Sequence, residues 1–341
     1  MNARRNGVGQ GRRRLAVLAL VAAAWAMPGA VAAAETVRVV ASFSILADMV
    51  RRVGGERVSV HALVGPDSDT HVFRPSPEDA KRLARADLVV VNGLRFEGWM
   101  ERLTAAAGYA GPVVVATEGV TPLRNGGHQD HGDKGGHGDH GDHGDKDGHG
   151  DHADEHGHHH GPMDPHAWQD PVNAQIYVRN IARGLAAADP GGAGGYGARA
   201  DAYAAEIEAV AAKFRKRFQA LPADRRRIIT SHDAFGYLGH AFGVQVRALA
   251  GLSTEAEPSA RDVTRLIRRI RSRNIAAVFL ENIGDDRLLA RIAQETGATV
   301  GGTLYSDALS GPGGPAASFV AMMRHNLDTI ARALGAPAAT Q

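Results

Sequence analysis

Residues 199–221, RADAYAAEIEAVAAKFRKRFQAL, carry an uninterrupted helical pattern, rich in Ala with Ile207, Val210, Phe214 and Phe218 spaced along it. Started one residue earlier, at Ala198, this helix spans ~36 Å at a rise of 1.5 Å per residue. That length bridges two domains, and the flanking sequence supplies two. Upstream, β-prone runs at 37–41, 58–64, 88–91 and 113–116 alternate with helix-patterned segments at 44–53, 76–86, 97–107 and 171–188. Downstream, runs at 228–230, 244–248, 277–280 and 299–303 alternate with helical segments at 234–241, 259–273, 286–296 and 316–334. Strands alternating with helices predict parallel sheets covered by helices. The expected fold is α/β: two lobes, each a mostly parallel sheet covered by helices, joined by one long rigid helix. Glycines at 191–195 are read as a break before that helix.

The N-terminus reads as a secretory signal peptide. Arg4, Arg5, Arg12, Arg13 and Arg14 precede an apolar run at 15–27, and Ala32-Ala33-Ala34 leads to Glu35. The run falls short of the ~20 apolar residues that span a bilayer. Arg13-Arg14 leaves the general and the twin-arginine export routes both open. The formal charge of +2 owes its sign to this segment: without its five arginines, 39 basic residues become 34 against 37 acidic ones, a balance of −3. No basic stripe interleaved with aromatics remains, so nucleic acid is not an expected partner. The chain has no cysteine. Disulfides, thiolate ligation and an acylated cysteine are therefore not expected, and the expected location is the periplasm without a lipid anchor. The organisation becomes a signal peptide at 1–34, an N-terminal lobe at 35–190 with a His-rich loop at 124–162, a linking helix at 191–222 and a C-terminal lobe at 223–341.

HQDHGDKGGHGDHGDHGDKDGHGDHADEHGHHH, residues 128–160, holds 11 of the 17 histidines, interleaved with Asp and Gly. Imidazole suits Zn, Cu and Ni, and the carboxylates add attraction for a cation. A tract with almost no apolar residue buries no core, so it is expected to be a disordered loop. Ordering such a loop costs entropy, which makes its metal sites weak and numerous, those of an accessory collector.

Six histidines lie outside the tract. His71 (GPDSDTHVFRPSPED), His166 (MDPHAWQDP) and His232 (TSHDAFGY) sit in turns leading into helices, and two of them directly follow strands, where open α/β sheets collect their ligands. Asp307 (GGTLYSDALSGPG) follows the last strand in the same way. Any one of these alone is more often a surface or core residue. Together they form a set of three nitrogens and one oxygen compatible with tetrahedral Zn2+. His61, within a strand, and His240 and His325, on helices, take the bland reading. Asp69, Asp170 and Asp233 are read as turn formers or helix caps ahead of any role in orienting imidazoles. Trp168 is expected to pack against the cleft wall.

The motifs GPDSDTHVFRPSPEDAKRLARADLVVVNG, DPHAWQDP, TSHDAFGYLGHAFG and YSDALSGPG resemble those of the metal-specific solute-binding proteins of ABC importers. That group includes the zinc binders ZnuA, AztC and TroA and the manganese binders, and the resemblance covers residues 36–335. It implies metal held between two lobes by His71, His166, His232 and Asp307. Manganese-type members typically place a glutamate at the position of His232, so the resemblance, with ligand softness, implies Zn2+ as cargo. The implied role is capture of periplasmic zinc by a monomer and delivery to an inner-membrane permease, with a periplasmic metallochaperone as a candidate loader. The long helix limits hinging, so release is expected through local loop movement. A manganese or iron importer subunit is the alternative. An exported zinc hydrolase is the rival from another class, but no HExxH or comparable acid–base motif is present. No catalytic role is expected.

Overall fold

A computed structural model describes residues 36–124, 163–272, 275 and 277–337. The expected signal peptide and the His/Asp tract lie outside the described residues. Two four-stranded parallel sheets form the frame. In the first, β1 (Val37–Phe43) lies between β2 (Val58–Val64) and β3 (Leu88–Val91), with β4 (Val113–Val115) at the edge. In the second, β5 (Arg227–Thr230) lies between β6 (Gln245–Ala248) and β7 (Ala277–Glu281), with β8 (Val300–Leu304) at the edge. Both sheets thus have the same order. Every residue of β1 except Arg38 is buried, as expected for a central strand covered on both faces.

Helices occupy nearly the predicted segments: α1 (Ser44–Gly54), α2 (Pro77–Ala84), α3 (Met100–Ala107) and α4 (Pro171–Ala188) with the first sheet. Then come α5 (Ala193–Gln219), α6 (Gly236–Phe242), α7 (Ala260–Ser272), α8 (Arg287–Thr296) and α9 (Phe319–Ala333). Local chemistry sets several starts. Ser76 and Asp79 form a reciprocal capping box ahead of α2, with Pro77 in the first turn. Asp170 accepts from the Val172 amide and starts α4, so the cap reading of that residue holds.

The largest departure from the expected boundaries is at the start of the long helix. The glycines at 191–195 do not interrupt the helix: Pro190–Gly192 forms a short 3-10 turn, and α5 starts at Ala193 and runs through Gly194, Gly195 and Gly197. Each helical glycine costs about 1 kcal/mol. Tertiary anchors oppose that cost: the buried Tyr196 donates to Asp189, and Arg199 donates to the carbonyls of Val53 and Gly54 at 2.6 and 2.9 Å. The 27 residues of α5 extend about 40 Å.

α5 packs against α1, α4, α6 and α9, elements of both halves. A single apolar core follows it from β1 through Tyr177, Phe214 and Phe218 to Ile228, Phe279 and Phe319. The outer face of the second sheet has a separate small core of Ile229, Leu249, Leu266, Ile270, Val278, Leu289, Ile292 and Ala293. Neighbouring residues of β5, Ile228 and Ile229, go to different cores because strand side chains alternate. Asp48 on α1 pins the junction of three helices, accepting from the Phe319 amide of α9 at 2.9 Å and the Tyr203 hydroxyl of α5 at 3.2 Å.

Candidate metal centre

The carboxyl edges of both sheets face one another, and four loops bring their side chains together there. His71 follows β2, His166 precedes a short 3-10 turn (Ala167–Gln169), His232 follows β5 and Asp307 follows β8. One ligand atom from each of these four lies within 4.8 Å of the others. Asp307 is the hub. Its Oδ2 is 3.0 Å from His71 Nε2 and 3.2 Å from His232 Nε2, and its Oδ1 is 3.6 Å from His166 Nε2. The imidazole centroids are 5.4–5.7 Å apart. His61, His240 and His325 lie outside the cluster. His61 sits beside Arg82, His240 is exposed, and His325 approaches the Thr303 carbonyl and packs on Tyr305.

Each loop is held by identifiable contacts. The His71 amide donates to Asp69 Oδ1 at 2.9 Å, a local turn that presents the ring, and the Thr70 carbonyl accepts from Trp99 Nε1 at 3.0 Å. His166 is fixed twice by Asp164 Oδ1, which accepts from its amide at 2.9 Å and lies 2.8 Å from its Nδ1. Glu281 at the end of β7 does the same for His232: Oε1 accepts from the amide at 2.9 Å, and Oε2 lies 2.7 Å from Nδ1. These carboxylates place each ring so that Nε2 faces the centre, the arrangement that preorganises an imidazole for a cation. Trp168 forms a wall beside His166, with ring centroids 5.3 Å apart, and its Nε1 donates to the Ser306 carbonyl at 3.1 Å. Phe96 closes the other side, 5.1 Å from the His71 ring and 5.7 Å from that of His166.

Sequence reasoning missed the two orienting carboxylates and offered others. Of its candidates, Asp69 holds the backbone of the His71 turn, Asp170 caps a helix, and Asp233 does not cap α6, whose N-cap position is Phe235. The Asp233 amide instead donates to the Gly251 carbonyl at 3.0 Å, and α6 begins three residues beyond Asp233. Asp164 was visible two residues before His166. Glu281 had a fainter signal, an acid at the end of an apolar strand, which a buried edge does not tolerate without a partner.

The four ligand candidates are nearly closed to solvent: the side chains of His166 and Asp307 are 0% exposed, His232 2% and His71 6%. His71 Nε2, His166 Nε2 and Asp307 Oδ1 are buried without a hydrogen-bond partner. Such orphaned atoms converging on one point are costly unless a ligand satisfies them. Burial alone would lower the pKa of His166, but Asp307 and Asp164 outweigh it and raise it to about 9. His232 behaves alike, with burial overcome by Glu281 and Asp307, so its pKa lies well above the ordinary value. Burial pushes Asp307 up, yet His166 and His232 hold it well below the usual carboxylate range. A divalent cation entering here replaces protons as the partner of Asp307.

Known proteins share this plan. The family model ZnuA, zinc-uptake complex component A periplasmic, matches residues 39–333. The chain is 32% identical over 304 residues to the iron-binding protein YfeA of Yersinia pestis, covering 89% of this chain and 88% of that protein. It is 28% identical to the manganese ABC transporter substrate-binding lipoprotein PsaA of Streptococcus anginosus, covering 94% and 96% respectively. Among solved structures, the periplasmic zinc binding protein TroA from Treponema pallidum superimposes with a TM-score of 0.74 at 28% identity, covering 88% of this chain and 99% of that one.

Proposed function

The chain belongs to the periplasmic zinc-uptake component A family, the metal-binding subunits of ABC metal importers, and from that premise we propose that its cargo is Zn2+ held by His71, His166, His232 and Asp307. Relatives named for iron, manganese and zinc leave the cargo to be argued from chemistry. The observation that carries the choice is the buried donor set itself, three imidazole nitrogens and one carboxylate within 4.8 Å. Four-coordinate nitrogen-rich sites suit Zn2+, whereas Mn2+ favours oxygen-rich surroundings of higher coordination. The orienting carboxylates Asp164 and Glu281 support the same reading, since they raise the basicity of the imidazoles they touch.

In this role the protein captures Zn2+ in the periplasm and surrenders it to the permease as a diffusing monomer. The absence of cysteine from the sequence supports a form without a lipid tether, unlike the relatives named lipoproteins. The His/Asp tract acts as an accessory collector, and a metallochaperone is its candidate donor. Competition titration of purified protein with Zn2+, Mn2+ and Fe2+ tests the cargo: Zn2+ should bind tightly at one buried site and resist displacement by the other two. Displacement of Zn2+ by stoichiometric Mn2+ would overturn the choice of metal. Deletion of residues 127–160 should leave that tight site intact and slow loading at scarce zinc.

A further inference from the structure

Asp67 lies in the first lobe, four residues before His71, at φ 49, in the left-handed region that Asp tolerates better than most residues. Its amide and both carboxylate oxygens bond to the second lobe. Its amide donates to the Leu309 carbonyl at 2.8 Å, its Oδ2 accepts from the Gly311 amide at 2.9 Å, and its Oδ1 accepts from Asn282 Nδ2 at 3.2 Å. Asn282 Nδ2 also donates to the Ala308 carbonyl at 3.3 Å. These partners surround the loop that carries Asp307, while Asp67 belongs to the turn that carries His71. Two further bonds cross the same seam, from the Leu309 amide to Ser44 Oγ at 3.0 Å and from Thr254 Oγ1 to Asp69 Oδ2 at 2.6 Å. Asp67 is exposed, whereas His166, His232 and Asp307 are buried and the His71 side chain is nearly so.

Resting on the metal-binding reading above, we propose that Asp67 is a positioning residue, a cross-lobe latch that sets how long the metal stays bound rather than how it is captured. Metal leaves when the Asp307 loop separates from the His71 turn, and the Asp67 carboxylate ties those two segments directly. Its loss removes two hydrogen bonds to a charged acceptor at an exposed place, worth roughly a five- to tenfold change in rate. The backbone conformation gives a clean variant. Glycine adopts a positive φ without strain, so Asp67→Gly deletes the carboxylate and leaves the turn. Asp67→Asn keeps one acceptor and the tolerance for that conformation.

Stopped-flow chelator competition on the full chain reads both rate constants for Zn2+. Asp67→Gly should bind one Zn2+ in the buried site with an on-rate within about twofold of the parent and an off-rate roughly five- to tenfold faster, and Asp67→Asn should fall between. Hydrogen exchange on the metal-free proteins should show faster exchange at the Gly311 amide in Asp67→Gly. An unchanged off-rate in Asp67→Gly, with one Zn2+ still bound, overturns the latch and spares the cargo reading. Failure of the parent protein to bind any of the three metals overturns the cargo reading, and unchanged exchange at Gly311 then overturns the latch independently.

Discussion

The two sheets share one strand order but not one kind of support. The first is embedded in a core that continues along α5 into the inner face of the second, whereas the outer face of the second packs on α7 and α8 through a separate core that has eight buried apolar residues among the described ones. Each half nonetheless contributes two ligand candidates, and each supplies one carboxylate behind a histidine: Asp164 in the first and Glu281 in the second. Site symmetry therefore sits on packing asymmetry. The ligand loops leave the carboxyl edge of the second sheet, whose strand β5 feeds the common core through Ile228 and the outer core through Ile229; we expect the smaller outer core to be the softer of the two. A binding protein of this design separates the stiffness needed to hold an ion from the stability of its periphery.

The largest test of that separation removes a ligand from each half. His71→Ala and His232→Ala should each weaken Zn2+ binding more than about 100-fold, beyond the range for loss of an orienting partner. Comparable losses by isothermal titration would match the symmetric site; retained affinity in both would refute the ligand set. Packing should be unequal. Leu46→Ala in the common core should cost ~3–5 kcal/mol of unfolding free energy, while Leu289→Ala in the outer core should cost about 2 kcal/mol and leave Zn2+ affinity unchanged. Denaturant unfolding with and without zinc reads both, and equal costs would remove the asymmetry. Next come the orienting carboxylates: Glu281→Gln and Asp164→Asn should each reduce affinity by ~10–100-fold without altering the stoichiometry.

The smallest effect is the pH response, and it distinguishes the two states. In the metal-free protein the pKa of His166 is raised to about 9. The stability this contributes is complete below the unfolded value near ~6.5 and is lost as pH rises through about 9. Melting of the metal-free protein should therefore decline across that window. Zinc requires neutral imidazoles, so added stabilisation by zinc should grow over the same window. Parallel melting curves at pH 6 and 9, with chelator or with zinc, should show the decline only with chelator, since the growing zinc stabilisation offsets it; a metal-free protein that gains stability with pH would contradict the charged cluster.

Much of this was legible because the signals are local. Strand–helix alternation gave both sheets, and His71, His166, His232 and Asp307 stood out as metal-type residues in turns at helix approaches. What escaped depends on tertiary neighbours. The glycines at 191–195 looked like a break because propensity is local, and only Tyr196 and Arg199, anchored elsewhere, outweigh it. Glu281 acquires its purpose from His232, 49 residues away, and Asp67 from Gly311, 244 residues away. Asp233 passed for a cap because an acid before an apolar run usually is one.

Arg124 and Met163 form an antiparallel bridge, so the residues at either end of the His/Asp tract are neighbours in space. The bridge holds together the two described ends between which residues 125–162 are inserted. Closure entropy grows with the logarithm of length, at about 0.6 kcal/mol per doubling. Repeats of the HGD kind can therefore be gained or lost in number with almost no consequence for the frame.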